Sequence, residues 1–239
     1  MKYGFICMMD ALGTKGSWRQ ETPEDFIAKL NKLQGYFKHA LEADPTSGFG
    51  TLDVQIFSDT VFVTFQFPED EKDGDPVCLL PWFGSFLAGP FTLAMFDGLF
   101  LRGAISQGFF YQSEAILVGP AVDDAASYYE RADWLGIICT PSASYGIEYA
   151  LAKGQALKPD IPHHFLSYEV PLKDYGPEVL SVLDWPKFMG DIQERAGEGG
   201  VGRAQLTGIF SKYPIPQFAT SKYKNTLAFY DYSMKVRNK

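Results

Sequence analysis

The chain has 239 residues, of which 46% are hydrophobic and 15% aromatic, and this apolar content is sufficient for one packed domain. Its formal net charge is −8 and its basic residues form no cluster, so we expect no nucleic-acid surface, although a nucleotide can still bind through metal ions. The widely spaced Cys7, Cys78 and Cys139 argue against a disulfide framework or a zinc site and fit the reducing cytoplasm. No signal peptide is expected, because the apolar stretch after Lys2 ends at Asp10.

The first predicted element lies in FICMMDALGTKG, residues 5–16. Residues 5–9 are predicted to form a short buried strand, with Asp10 at its carboxyl end. Gly13 and Gly16 then allow the chain to turn without a Cβ penalty. A carboxylate beside free backbone amides suits a metal ion and a polyphosphate. The alternative is a turn aspartate that bonds its own backbone, which is the commoner role of a single Asp.

A helix is predicted in TPEDFIAKLNKLQGYFKHALEAD, residues 22–44. Thr22 and Asp25 form a capping-box pattern, and Pro23 suits the first helical position. Apolar residues recur at intervals of three and four, which predicts one buried stripe made of Phe26, Leu30, Leu33, Phe37 and Leu41.

The next segment, TLDVQIFSDTVFVTFQF, contains two β-rich runs that meet at Ser58 and Asp59. This pattern predicts a tight hairpin with Asp59 in its turn. A charged loop follows, and residues 78–96 then carry no charge over a length that could span a bilayer. We predict a buried helix rather than a membrane segment, because no basic flank follows and the stretch is interrupted by Pro81, Gly84, Gly89 and Pro90.

Four further elements are predicted after this helix. LFLRGAISQGFFYQ, residues 99–112, is expected to be a strand with a bend at Gly108. A helix begins through Gly119 and Pro120, GIICT is a short buried strand, and PSASYGIEYALAK is another helix.

The order of elements is β-α-β-β-α-β with additions, which is the split βαβ, ferredoxin-like pattern of an α+β fold. We assign residues 1–154 to a core and residues 155–239 to a C-terminal extension of the same domain. The signals in this extension are weak. HHFLSYEVPL, residues 163–172, is consistent with a strand, and SKYKNTLAFYDYSMKV, residues 221–236, is consistent with a helix.

Asp59 supplies a second carboxylate next to Asp10. In a split βαβ fold the first strand and the hairpin are neighbours in one sheet, so both aspartates lie at adjacent strand ends. Such a pair can hold two Mg²⁺ or Mn²⁺ ions, one lowering the pKa of an attacking hydroxyl and the other neutralising a triphosphate. We expect the backbone amides of Ala11, Leu12, Gly13 and Thr14 to contact the phosphates.

Lys15 either contacts the triphosphate or is a solvated loop lysine. His163 and His164 are adjacent in a Pro-flanked loop, and because neighbouring side chains of an extended chain point apart, we expect no metal site there.

Four stretches together resemble the class III nucleotidyl cyclases, the catalytic domain of adenylate and guanylate cyclases. MMDALGTK resembles their D-I-x-G-F-[TS] motif, and IFSDTVFV resembles their I-G-D hairpin. LRGAISQG resembles their R-x-G-I-x-x-G strand. VGPAVDDAASYYERADWLGIICTPSA resembles their G-x-x-V-N-x-A-x-R helix and the strand after it. Each motif is weak alone, but four in the right order over residues 3–150 form a more specific signal.

The chain departs from the purine-specific members at the residues that read the base. A Lys four residues before the second metal Asp is replaced by Gln55, and a base-reading Asp falls on Ile116. Gln55 and Asp59 are expected to share a face of one strand because their spacing is even. An amide offers both a donor and an acceptor to a pyrimidine edge, although Gln55 is equally consistent with an ordinary exposed strand residue.

The family's transition-state Asn and Arg fall on Asp123 and Ser127, which cannot act in the same way. Arg131 lies one helical turn beyond Ser127, and Arg102 lies on the neighbouring strand, so either can supply the missing positive charge. The alternatives are an ion pair for Arg102 and, for Asp123 and the adjacent aspartate, a stabilising charge at a helix N-terminus.

These departures resemble the bacterial pyrimidine cyclases of the Pycsar antiphage systems. The resemblance implies a cytoplasmic enzyme that converts UTP or CTP to cyclic UMP or cyclic CMP, with UTP favoured. It also implies Mn²⁺ or Mg²⁺ as cofactor, a head-to-tail homodimer with active sites at the interface, and a separate effector that responds to the cyclic nucleotide. Two alternatives remain open at this point: a cyclase-fold binding or regulatory module without turnover, and an adenylate or guanylate cyclase with unusual base contacts.

Overall fold

The computed structural model describes residues 1–12, 22–42, 50–67, 79–152, 164–173, 176–196, 203–212, 215 and 217–237. The described strands are β1 (Lys2–Ala11), β2 (Thr51–Phe57), β3 (Thr60–Gln66), β4 (Leu101–Gln112), β5 (Leu117–Val118), β6 (Ile137–Cys139), β7 (Phe165–Val170) and β8 (Glu178–Leu183). The described α-helices are α1 (Pro23–Glu42), α2 (Leu79–Phe96), α3 (Pro120–Tyr128), α4 (Pro141–Ala152), α5 (Trp185–Ala196), α6 (Arg203–Ser211) and α7 (Thr220–Arg237).

The strands form one mixed sheet in the order β2-β3-β1-β4-β6-β8-β7, with β5 paired to β4. Strand β1 is central and runs antiparallel to both β3 and β4. The β2–β3 hairpin and its position beside β1 confirm the predicted βαββαβ order and the α+β class. Strands β7 and β8 join this sheet through the pair Ile138 and Val182, and the assigned boundary at residue 154, outside the described residues, stays a prediction.

Alternating side chains of β1 divide between two apolar clusters on opposite faces of the sheet. Phe5, Cys7 and Met9 belong to the main core, which also contains buried residues of α1 and α2. Ile6, on the other face, packs with Phe110 of β4 and with alanines of α3. Because Asp10 has the same parity as Ile6, it lies on the face that α3 covers only in part.

Local patterns account for α1 and α2. The backbone N–H of Asp25 donates to Oγ1 of Thr22 at 3.1 Å, which confirms the predicted cap at the start of α1. Helix α2 is long and apolar enough to cross a bilayer, yet 72% of that stretch is buried inside the protein. Its buried residues lie in the main core, so the prediction of a buried helix is confirmed.

Strand β4 extends beyond the start of β1, where Lys2 pairs with Phe110, and its last two residues pair with β5. Gly108 in this strand has φ 156°, and Gly119 at the start of α3 has φ 138°, both conformations that favour glycine. A Cβ on Gly119 would also come within 2.8 Å of the Phe110 Cα. These two glycines confirm the predicted bend and the predicted entry into α3.

Asp124 connects α3 to the start of α4. Its Oδ2 accepts hydrogen bonds from the hydroxyls of Thr140 and Ser142, each at 2.6 Å. The Ser142 hydroxyl in turn accepts from the backbone N–H of Gln107 in β4, at 2.9 Å. The sequence suggested only an electrostatic role at the N-terminus of the residue's own helix. Asp124 instead binds the start of the following helix through the Thr140 and Ser142 hydroxyls, and Ser142 links this group to the sheet.

Replacing Asp124 by Ala should destabilise the protein, because two charge-assisted hydrogen bonds are lost and the buried Thr140 hydroxyl loses an acceptor. We expect a decrease of about 3 kcal/mol in the free energy of unfolding, measured by urea denaturation. Asp123→Ala is the matched control: this exposed neighbour lies in the first turn of α3, and its loss should cost under about 1 kcal/mol. Equal losses for both variants would contradict the assigned role of Asp124.

Candidate active site

The site is built on a cross-strand pair at the end of the central strand. Asp10 of β1 is the register partner of Arg102 in β4 and of Thr60 in β3. Directly opposed residues of antiparallel strands place their side chains on the same face. Nη2 of Arg102 accordingly donates to Oδ2 of Asp10 at 3.1 Å, with side-chain exposures of only 8% and 16%.

The β2–β3 turn brings Asp59 to the same place. Ser58 and Asp59 form the turn, with Ser58 at φ 57°, and the predicted tight hairpin is therefore confirmed. The backbone carbonyl of Asp59 accepts from the N–H of Ala11 at 2.9 Å, which fixes the turn against the end of β1. Because β2 ends at Phe57, Asp59 lies in the turn, and the expectation that it shares one strand face with Gln55 is wrong.

The pKa of Asp10 is raised above the ordinary value of an aspartate. Burial is the largest cause, and the negative charges of Asp59 and Glu130 act in the same direction. The hydrogen bond and charge of Arg102 lower the pKa of Asp10 but do not offset these effects. The ionised form of Asp10 is therefore disfavoured in the folded protein, and a bound cation would stabilise it.

Glu130 and Tyr129 complete the surroundings of the arginine. Nη1 of Arg102 donates to the backbone carbonyl of Glu130 at 3.0 Å, and Nη2 lies 3.4 Å from Oε1 of Glu130. The Tyr129 hydroxyl donates to the same carboxylate at 3.2 Å. Burial first, and then the charges of Glu130 and Asp10, raise the pKa of Tyr129 to about 12. Sequence reasoning missed Glu130, although it is the residue between Tyr129 and Arg131 in a motif already identified.

Lys173 adds a second cation that the sequence did not indicate. It follows β7, and its backbone N–H donates to the carbonyl of Arg131 at 3.0 Å. Burial, followed by the positive charges of Arg102 and Lys222, lowers the pKa of Lys173. The local sequence around Lys173 does not predict a role in the site, because the lysine is brought there by the pairing of two distant segments, around Ala132 and Leu172.

The first residues of α7 hold the loop that follows Arg131. Nζ of Lys222 donates to Oδ1 of Asp133 at 2.9 Å, and Asn225 donates to the Asp133 carbonyl at 2.7 Å. Burial alone would raise the pKa of Asp133, but the hydrogen bonds and charge of Lys222 lower it. The C-terminal helix therefore supports the loop that carries Glu130.

Arg131 does not extend α3 as expected. The helix ends at Tyr128, and Arg131 lies in the turn after it, with its backbone N–H donating to the Tyr128 carbonyl at 3.0 Å. Its guanidinium lies over the Tyr128 ring, 4.8 Å from the ring centroid. The predicted position one turn beyond Ser127 on the same helix face is therefore wrong, because the helix is too short. Of the two candidate arginines, Arg102 is the one that contacts Asp10.

The proposed phosphate loop is described only at its start. The N–H groups of Ala11 and Leu12 donate to the carbonyls of Asp59 and Phe100, at 2.9 and 2.7 Å. These two amides are consequently engaged within the protein, which corrects the expectation that they meet phosphates. Gly13, Thr14 and Lys15 lie outside the described residues.

The carboxylates of Asp10 and Asp59 fit a divalent cation by their chemistry. Carboxylate oxygens are the preferred ligands of Mg²⁺ and suit Mn²⁺, and Mg²⁺ commonly uses only one or two of them together with substrate phosphates. In the described ranges no group of three or more His, Cys, Asp or Glu side chains is arranged to hold a metal by itself. His164 is buried, and burial lowers its pKa to about 4, whereas His163 lies outside the described residues.

Comparison with solved structures identifies the fold. No protein-family model matches the chain, and no curated protein matches it significantly. The catalytic core of a rhodopsin-guanylyl cyclase with converted specificity, solved in complex with ATPαS, is similar over 76% of this chain and 94% of its own, with 14% identity and a TM-score of 0.51. A bacterial light-regulated adenylyl cyclase matches at 12% identity, covering 88% of this chain and 97% of its own, with a TM-score of 0.41. The chain thus has the fold of class III nucleotidyl cyclase catalytic cores.

The raised pKa of Asp10 predicts a pH dependence of stability. Because the folded state disfavours the ionised carboxyl, this group contributes stability at low pH that is lost as the pH rises through the raised pKa. The free energy of unfolding of the wild type, relative to that of Asp10→Asn, should therefore fall as the pH rises above the ordinary aspartate pKa of about 4. Urea denaturation of both proteins in EDTA measures this difference. A relative stability that increases over the same range would mean that Arg102 dominates the site.

Proposed function

We propose that the protein is a pyrimidine nucleotide cyclase that converts UTP or CTP into the 3′,5′-cyclic nucleotide and pyrophosphate. The observation that carries this proposal is the meeting of Asp10 and Asp59 at one edge of a cyclase-type sheet, with Arg102 bound to Asp10. The four cyclase-like motifs of the sequence fall on the elements that build this edge: β1, the β2–β3 turn, β4 and α3.

In the proposed reaction the 3′-oxygen of the ribose attacks the α-phosphorus of the same nucleotide. A bond forms between these atoms, the bond from the α-phosphorus to the bridging oxygen breaks, and pyrophosphate leaves with its electron pair while the hydroxyl proton passes to solvent. Asp10 and Asp59 would hold two Mg²⁺ or Mn²⁺ ions, which when bound lower the pKa of the hydroxyl and neutralise the leaving group.

Arg102 is the arginine we assign to charge stabilisation. Its guanidinium is preorganised by the carbonyl of Glu130 and by Asp10, so little reorganisation is needed when negative charge develops nearby. Lys173 adds positive charge to the same region. We place Arg131 second, since its guanidinium lies on the Tyr128 ring. Gly13, Thr14 and Lys15 remain the proposed phosphate contacts.

Pyrimidine specificity rests on Gln55 and Ile116, which replace the two purine-reading residues of the resembling family. UTP is preferred over CTP. A head-to-tail homodimer is part of the proposal and is implied by the resemblance to the cyclases. Exposed apolar side chains of β2 and of the segment from β4 to β5 are candidates for the contact: Phe57, Tyr111, Ile116 and Val118. A cytoplasmic role in antiphage signalling through a separate effector rests on the Pycsar resemblance alone.

Two other functions have specific support. Asp123 and Ser127 stand where the family has its transition-state Asn and Arg, which favours a binding or regulatory module without turnover. The names of the similar structures, a guanylyl cyclase bound to an ATP analogue and an adenylyl cyclase, favour a purine cyclase. Retention of both aspartates argues for turnover, because a module that only binds has no need of two carboxylates at this edge.

Replacing Asp59 by Ala should abolish formation of cyclic UMP or cyclic CMP, with a loss of at least about 100-fold, because one of two metal-binding carboxylates is removed. The melting temperature should stay near the wild-type value, since the backbone carbonyl of Asp59, which Ala also carries, still accepts from the N–H of Ala11. Asp231→Ala, an exposed carboxylate of α7, is the control and should retain activity. Turnover by Asp59→Ala would rule out the assignment.

Binding of Mn²⁺ can be measured without turnover. Adding excess Mn²⁺ should raise the melting temperature of the wild type, because a ligand that binds only the folded state stabilises it. At a free concentration 100 times the dissociation constant the expected gain is about 2.7 kcal/mol. Asp10→Asn should lose most of this gain. An equal shift in both proteins would mean that Mn²⁺ binds elsewhere.

A further inference from the structure

A chain of side-chain hydrogen bonds crosses the sheet face above β3 and ends at Gln55. It begins at Gln112, at the end of β4, whose Oε1 accepts from Oγ1 of Thr64 at 3.0 Å and from Nζ of Lys2 at 3.4 Å. Nε2 of Gln112 then donates to Oδ2 of Asp53 at 2.6 Å. Gln112 of β4 thus contacts Asp53 of β2, although these strands are not neighbours in the sheet.

The same carboxylate oxygen fixes Gln55. Nε2 of Gln55 donates to Oδ2 of Asp53 at 3.1 Å and to the backbone carbonyl of Ser113 at 3.2 Å. Both partners are acceptors, so turning the Gln55 amide over would place its oxygen against two other oxygens. The Gln112 amide is fixed in the same way, because its oxygen faces the donors of Thr64 and Lys2 while its nitrogen faces the Asp53 carboxylate. Both amides therefore have only one orientation that satisfies these hydrogen bonds.

With the amide held in this orientation, Oε1 of Gln55 is an acceptor that the network does not use. This atom is buried and, within the part of the chain that the structure describes, has no hydrogen-bond partner. A buried acceptor without a donor is unfavourable, and a bound N–H group would remove that cost. Gln55 and Asp53 face the same side of the sheet as Asp10, since their β3 partners are Phe62 and Thr64 and the β3 partner of Asp10 is Thr60.

We propose that Gln55 reads the base through Oε1 alone, accepting from an N–H donor on the pyrimidine edge, and that Asp53 and Gln112 are the positioning residues that hold it in this state. The donor is N3–H of uracil or the N4 amino group of cytosine. This inference rests on the proposed function. A glutamine that rotates offers either a donor or an acceptor, whereas a locked one rejects a base edge that presents only an acceptor.

The test compares each nucleotide with an analogue that lacks the donor. Wild-type kcat/KM is measured for UTP and N3-methyl-UTP, and for CTP and N4,N4-dimethyl-CTP. We expect at least about tenfold discrimination against the methylated form of the true substrate, because a buried acceptor is left unpaired. Loss with N3-methyl-UTP identifies uracil as the base, and loss with the dimethylated CTP identifies cytosine. Equal rates for parent and analogue in both pairs would overturn the inference.

Positioning is tested with variants of Asp53. Asp53→Ala frees the Gln55 amide to rotate, so discrimination should fall about tenfold, through KM, while kcat for the parent nucleotide changes little. Asp53→Asn keeps one acceptor oxygen and should retain most of the discrimination. Gln112→Met repeats the test from the other end of the network, and Glu178→Ala, an exposed carboxylate of β8, is the matched control. Wild-type discrimination in Asp53→Ala would overturn the positioning role.

A protein that has no cyclase activity can still be tested for the base-reading role of Gln55. If wild type forms no cyclic product from any nucleotide, the same parent and analogue pairs are compared by calorimetric binding in the presence of Ca²⁺. A parent-to-analogue affinity ratio that falls in Asp53→Ala then supports the reading role of Gln55 in a module without turnover. A ratio near one in wild type, or no binding of any nucleotide, overturns it.

Discussion

The ion pair between Asp10 and Arg102 is the constraint on which the rest of the site depends. Both side chains are largely buried, and removing one partner of such a pair leaves an uncompensated charge at a cost of about 3–5 kcal/mol. The pair exists because β1 and β4 are neighbours in exact antiparallel register at their ends. Arg102 also donates a hydrogen bond to the Glu130 carbonyl, which binds the segment after α3 to the sheet. Lys222 of α7 holds the next part of that segment through its ion pair with Asp133.

Charge balance explains how an acidic chain can be suited to a triphosphate. Asp10 carries a raised pKa despite its arginine, because burial, Asp59 and Glu130 together outweigh Arg102. A divalent cation at this edge would stabilise the ionised carboxylates and at the same time attract phosphates. Arg102 and Lys173 supply positive charge close by, although the chain as a whole has a net charge of −8.

Local pattern predicted the central part of the fold and the two carboxylates, since strand periodicity, a hairpin turn and a capping box are short-range signals. It did not predict β8 or α5, and it extended α3 too far, to Arg131. Glu130, Lys173 and the network of Asp53 and Gln112 depend on contacts between residues distant in sequence. The amides of Ala11 and Leu12 illustrate the same limit: their spacing suggested a phosphate cradle, but sheet pairing brings the carbonyls of Asp59 and Phe100 to them.

Nucleotide cyclisation is tested by incubating the purified protein with each of the four nucleoside triphosphates and Mn²⁺ and separating the products by mass-resolved chromatography. We expect a peak of cyclic UMP or cyclic CMP together with pyrophosphate. Cyclic AMP or cyclic GMP would keep the fold and the chemistry but contradict the pyrimidine specificity assigned to Gln55 and Ile116. No cyclic product from any of the four would contradict the central claim that this arrangement of Asp10, Asp59 and Arg102 is catalytic.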